Sequence, residues 1–183
     1  MGGSRRTLVR RLSDPLIGPW ASPSELALGW GSALAAALVQ LAWALVASEW
    51  SVLQIAVAVV FAFDIGGGVV VNATRSGGRW WHRPEQSRGR ELLFFAAHVH
   101  PFVVALLWPG FAWWQAGVLY LSMLVAVAVV MACPAPLERP VAFGLGSAGV
   151  VLGVTVLLGP AGMVWLPPLY VVKLVMAHAV PPG

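Results

Sequence analysis

The sequence predicts an all-α, polytopic membrane helix bundle of about six transmembrane helices, with both termini in the cytoplasm. Three observations predict it. Hydrophobic residues make up 59% of the 183 positions and charged residues only 10%, against about 45–50% and about 25% in soluble domains. Apolar runs of near-spanning length follow one another, without the period-2 alternation of a barrel. All of the 11 Lys and Arg residues except Lys173 fall at the N-terminus or in alternate connections between these runs. These features exclude a soluble globular domain, a disordered tail and a nucleic-acid-binding module; the net charge is only +4. One cysteine, Cys133, allows neither an intrachain disulfide nor a cysteine-based zinc site.

Residues 1–25 read as a basic cytoplasmic segment carrying Arg5, Arg6, Arg10 and Arg11. Ser4-Arg5-Arg6-Thr7-Leu8 is similar to a twin-arginine export signal, but Asp14 and Pro15 intervene before any apolar run, and no convincing cleavage site follows. A single transmembrane domain, 26–180, then contains apolar runs at 26–47, 52–72, 92–108, 111–132, 141–159 and 162–180, and 181–183 form a short tail. Ser48–Ser51, Pro109-Gly110, the trio Pro134, Pro136 and Pro140, and Gly159-Pro160 mark the breaks, since Pro and Gly interrupt helical patterns. The remaining connection, 73–91, is long and rich in Arg and Trp. With six spans every arginine lies on one side, whereas the other side has only Glu49. Trp50, Trp108, Trp113, Trp114 and Trp165 then map to the outer interface, and Trp20, Trp80 and Trp81 to the inner one. The composition points to the cell membrane.

Ionisable residues inside spans mark function by default, because each costs about 2.5 kcal/mol or more there. Asp64, His98, His100, Lys173 and His178 qualify. Asp64 lies about 12 Å from the cytoplasmic end of the second run, at 1.5 Å per residue. Asp64, Gly68, Asn72 and Arg75 share one helical stripe, and Gly66-Gly67-Gly68 clears space for another helix or a ligand. Lys173 falls near the depth of Asp64, so the two are expected to pair or to share a site. His98 and His100 would point about 200° apart on an ideal helix, but Pro101 supplies a distortion. All five residues, with Asn72, fall in the cytoplasmic half and predict a polar cavity open to that side. In the loop, Arg75, Arg79, Trp81, His82 and Arg83 form with Asn72 a candidate lid for an anionic lipid headgroup, since the arginine fork matches phosphate oxygens. Gly149-x-x-x-Gly153 is read as a packing seam, Gln115, Tyr120 and Ser122 as interhelical hydrogen bonders, and Cys133 as inert.

Asp64 with His98, His100 and His178 loosely resembles the acid-and-three-histidine set of the alkaline ceramidase and progestin-receptor superfamily of membrane hydrolases. That resemblance implies zinc held by the three histidines and a lipid substrate. The chain departs from it in having six runs instead of seven and no His-x-x-x-His pair near its end. The expected function is therefore an integral membrane enzyme acting on a lipid or other hydrophobic substrate, by zinc-dependent hydrolysis or by acid–base chemistry of Asp64 with a histidine. The alternatives are a haem protein with His178 opposite His98 or His100, a carrier coupled to protonation of an Asp64–Lys173 pair, and a non-catalytic assembly subunit.

Overall fold

A computed structural model of the chain describes residues 8–180. The described residues form helices α1 (Leu8–Ile17), α2 (Pro23–Ala47), α3 (Val52–Ala73), α4 (Arg75–Trp81), α5 (Arg88–Ala96), α6 (His100–Leu107), α7 (Trp113–Ala132), α8 (Ala135–Thr155) and α9 (Leu166–Val171), the last running into a π-helical segment, Val172–His178. Five stretches are long and apolar enough to cross a membrane: Pro23–Ala47, Val52–Ala73, Gly89–Leu107, Trp113–Ala132 and Ala135–Thr155. The chain is accordingly an integral membrane protein.

Packing follows membrane rules. Small residues of α2 and α3, including Ala33, Ala37, Ala44, Ala58 and Ala62, are buried, whereas Leu34, Leu38, Leu45 and Val60 face outward. Lipid tails are as apolar as leucine, so close backbone approach, more than exclusion of large side chains from solvent, holds such helices together. Ser22 and Ser51 begin these two helices with capping boxes: each serine accepts the N–H three residues on, and Glu25 or Gln54 accepts the serine N–H at 2.8 Å.

Three runs differ from their sequence expectation. The third spans Gly89–Leu107 but is two helices, interrupted at Ala97–Val99. The fifth begins at Ala135, because Pro136 sits in the first turn, where a missing N–H costs nothing, and Pro140 is carried inside the helix. The Pro-rich break after the fourth run thus shrinks to Cys133-Pro134, and the run ends at Thr155 instead of 159. The sixth is the largest departure. Its helix covers only Leu166–His178, about 20 Å at 1.5 Å per residue, which is too short to cross about 30 Å of hydrocarbon.

One end of the bundle gathers the arginine-bearing segments. Helix α1, within the expected cytoplasmic segment, docks against α4 there: the indoles of Trp80 and Trp81 donate to Pro15 O (2.9 Å) and Leu16 O (3.0 Å). Glu25 at the head of α2 accepts from Ser76 N (3.0 Å) and Ser76 Oγ (2.9 Å) of α4. His82 Nε2 lies 2.8 Å from His178 O and joins the loop to the chain's last helical turn. Arg5, Arg6 and the tail 181–183 lie outside the described residues. The opposite end is packed by Trp43, Trp50 and Trp108, with successive ring centroids 5.0 and 5.2 Å apart.

Candidate functional site

The three glycines after Asp64 divide their work. A Cβ on Gly66 would stand 2.6 Å from Ala36 Cβ, and one on Gly67 2.6 Å from Ala33 Cβ, so both admit α2. A Cβ on Gly68 would stand 2.4 Å from Lys173 Cε, so this glycine admits a charged side chain. Lys173 reaches across the gap and donates to Asp64 Oδ2 at 2.6 Å. His100 Nε2 approaches the same oxygen at 3.2 Å. The side chains of Lys173 and His100 are 4% and 14% exposed, whereas that of Asp64 is 44% exposed. The carboxylate is thus the open member of a cluster whose other members are enclosed.

Both partners owe their position to irregular helix. The break at Ala97–Val99 ends α5 and restarts α6 with His100, followed at once by Pro101. The rings of His98 and His100 thereby come within 5.4 Å of each other, in place of the opposed pointing of an ideal helix. Lys173 is the second residue of the π-helical segment that follows Pro167-Pro168. Such wide turns occur often at functional sites. Tyr170, one turn before Lys173, ties the two irregular regions together by donating its hydroxyl to His98 O at 2.7 Å. Sequence reasoning missed this tyrosine; its spacing of three from Lys173 was the available signal.

The cluster opens into a cavity of about 130 Å³ between α2, α3 and the terminal helix. Its walls include Gly29, Ala33, Phe63 and Phe94, with Trp81 and Leu16 toward the arginine-rich end. Asp64, Asn72 and Lys173 supply its polar groups. The chamber is therefore mainly apolar, and it differs from the polar cavity expected from the sequence. Its lining is largely hydrocarbon, with charge at one place only, where Asp64 and Lys173 meet.

The remaining expected residues do not join this centre. The Nδ1 of His98 is 2.7 Å from Phe94 O. The His178 ring stacks on Phe94, with centroids 3.9 Å apart and planes at 17°. Phe94 packs against His98 as well, at 4.5 Å, so a haem held between these two histidines would have to displace it. His98, His100 and His178 do not converge as zinc ligands, and no group of three His, Cys, Asp or Glu residues among those described is arranged to hold a metal. The donor set that the hydrolase resemblance implied does not fit this structure.

The loop residues also separate. Arg83 lies over the Trp80 ring at 3.9 Å and donates to Trp80 O. His82 faces Glu91, 3.5 Å away. Trp81 packs on Phe94 and His178, with centroids 4.8 and 5.4 Å apart. Arg79 is exposed, and Arg75 opens onto a different crevice. Among the other expected hydrogen bonders, Tyr120 reaches Ala96 O (2.8 Å) and Gln115 reaches Val156 O (3.5 Å), while Ser122 bonds within its own helix. The seam on α8 packs against the terminal helix: a Cβ on Gly149 would stand 2.8 Å from Val171 Cγ1. No family model, curated protein or solved structure matches the chain.

Proposed function

We propose that this protein is a metal-independent integral membrane enzyme acting on an amphiphilic lipid, with Asp64, Lys173 and His100 as its acid–base centre. The observation that carries this reading is the asymmetry of the cluster: a half-open carboxylate, backed by an enclosed lysine and histidine, at the charged point of an apolar cavity. Lys173 and His100 both meet Asp64 at Oδ2, so a proton from the polar end of a bound lipid can be shared among the three groups. The positive-inside rule puts the arginine-rich end in the cytoplasm, and the plasma membrane is the proposed site.

The test is a mass-spectrometric screen of lipid extracts incubated with purified full-length protein, with and without chelator. Substrate depletion is expected to survive the chelator and to disappear in Asp64→Asn. Equal lipid profiles for wild type and Asp64→Asn, at equal protein levels, would overturn the assignment.

A further inference from the structure

A second crevice, of about 420 Å³, lies at the arginine-rich end between the end of α3, the start of α8 and the terminal helix. Two guanidinium groups, Arg75 and Arg139, line it from different helices. Both residues are exposed, and among the described residues no carboxylate is paired with either. Arg139 Cζ lies 5.8 Å from the centroid of Phe143, which also lines the crevice. Val69, Val172 and Met176 extend the apolar wall. Asn72 lines it too, is only 8% exposed, and leaves its Nδ2 without a hydrogen-bond partner. A buried amide donor without a partner calls for an acceptor.

We infer that this crevice is an anionic-lipid site, with the headgroup phosphate held between Arg75 and Arg139 and an acyl chain along the Val69–Met176 wall. Two guanidinium forks present donors in the geometry that phosphate oxygens accept. The placement fits a lipid more closely than free phosphate, because the charges lie at the end of spanning helices and the hydrophobic wall descends from them. Asn72 donates from the inner side, where it also borders the cavity that holds Asp64. The site stands apart from the Asp64 reading and does not depend on it. Sequence reasoning placed Arg75 among headgroup contacts but counted Arg139 only as a marker of topology.

Native mass spectrometry of the full-length protein in mild detergent tests the inference, with dioleoyl phosphatidylglycerol or dioleoyl phosphatidylcholine added in steps. One phosphatidylglycerol is expected to bind more tightly than phosphatidylcholine. Arg139→Gln and Arg75→Gln should each weaken it by about tenfold, the loss of a charge-assisted contact. Arg79→Gln removes the same charge outside the crevice and should leave binding unchanged. All three substituted arginines are exposed, and thermal unfolding of each variant checks that the fold is retained. Equal binding of the two lipids, or equal weakening by Arg79→Gln, would overturn the site. Millimolar inorganic phosphate that binds as tightly as the lipid and displaces it would overturn the lipid assignment in favour of free phosphate.

Discussion

The α2–α3 hairpin and the pair of irregular segments, α5–α6 and the terminal helix, are built in opposite ways. The hairpin is regular throughout. Both helices begin on capping boxes, and Gly66 and Gly67 meet Ala36 and Ala33 along an unbroken seam. The other pair is interrupted at Ala97–Val99 and widened to a π-helix at Val172–His178. The regular pair contributes one ionisable residue to the centre, Asp64, while the irregular pair contributes His100 and Lys173. Regular helix serves close approach. Broken helix aims a few side chains at one atom.

Substitutions that separate charge from packing sharpen this comparison most. Asp64→Asn should reduce lipid turnover by about 10²–10⁴-fold, the usual worth of a positioned acid–base group. It should also destabilise the protein by about 3–5 kcal/mol, because Lys173 is left buried without its counter-ion. The double variant Asp64→Asn/Lys173→Met removes both charges. Unfolding in detergent, followed by tryptophan fluorescence, should show most of the stability restored while turnover stays lost. Recovery of both would mean that the pair serves packing alone.

Adjacent glycines give the next effect. Gly68→Ala drives a methyl into the Lys173 side chain, whose Nζ is fixed on Asp64. Turnover should fall by about 10–100-fold, since displacement by about 1 Å is that costly in a positioned site. Gly67→Ala meets Ala33 instead, and should lower stability by about 1–3 kcal/mol through overpacking while the remaining activity per folded molecule stays normal. Measuring activity and unfolding on both variants checks whether the seam and the centre are separable one residue apart.

Much of this arrangement was legible in the sequence, and the reasons divide along the same line. Depth counted along ideal helices set Asp64 level with Lys173, and the two are bonded. The glycine run announced a close approach, although only the structure shows that Gly68 receives a lysine and its neighbours a helix. What periodicity could not supply was the irregular backbone. Pro101 signalled a distortion at the carbonyl of residue 97, and the helix does break at Ala97–Val99, but the extent of the break was not signalled, and nothing in 166–178 announced a π-helix. Arg139 was hidden for a related reason. Three prolines read as a loop, whereas a helix tolerates Pro136 in its first turn, so Arg139 is raised on α8 beside Arg75. The histidines misled most, because shared depth is a necessary condition for a metal site and says nothing about what lies between the rings; here it is Phe94.

The smallest expected effect compares the two capping boxes. Ser51 and Gln54 satisfy only their own helix start, apart from a bond from Gln54 Nε2 to Leu107 O at 2.8 Å. Ser51→Ala should therefore cost about 1 kcal/mol, the ordinary value of an N-cap. Glu25 closes the matching box on α2 but also holds Ser76 through two further bonds, and so fixes α4 beneath the bundle. Glu25→Gln should then cost more than Ser51→Ala, up to about 2–3 kcal/mol if the charge-assisted bonds to Ser76 are lost. It should also loosen α1, because α4 carries the two tryptophans that bind Pro15 and Leu16. Hydrogen exchange across residues 8–17 reads this directly. Faster exchange in Glu25→Gln, with none in Ser51→Ala, would make Glu25 the link between a helix start and the cover of the cavity. Equal exchange in the two variants would reduce it to a cap like the other.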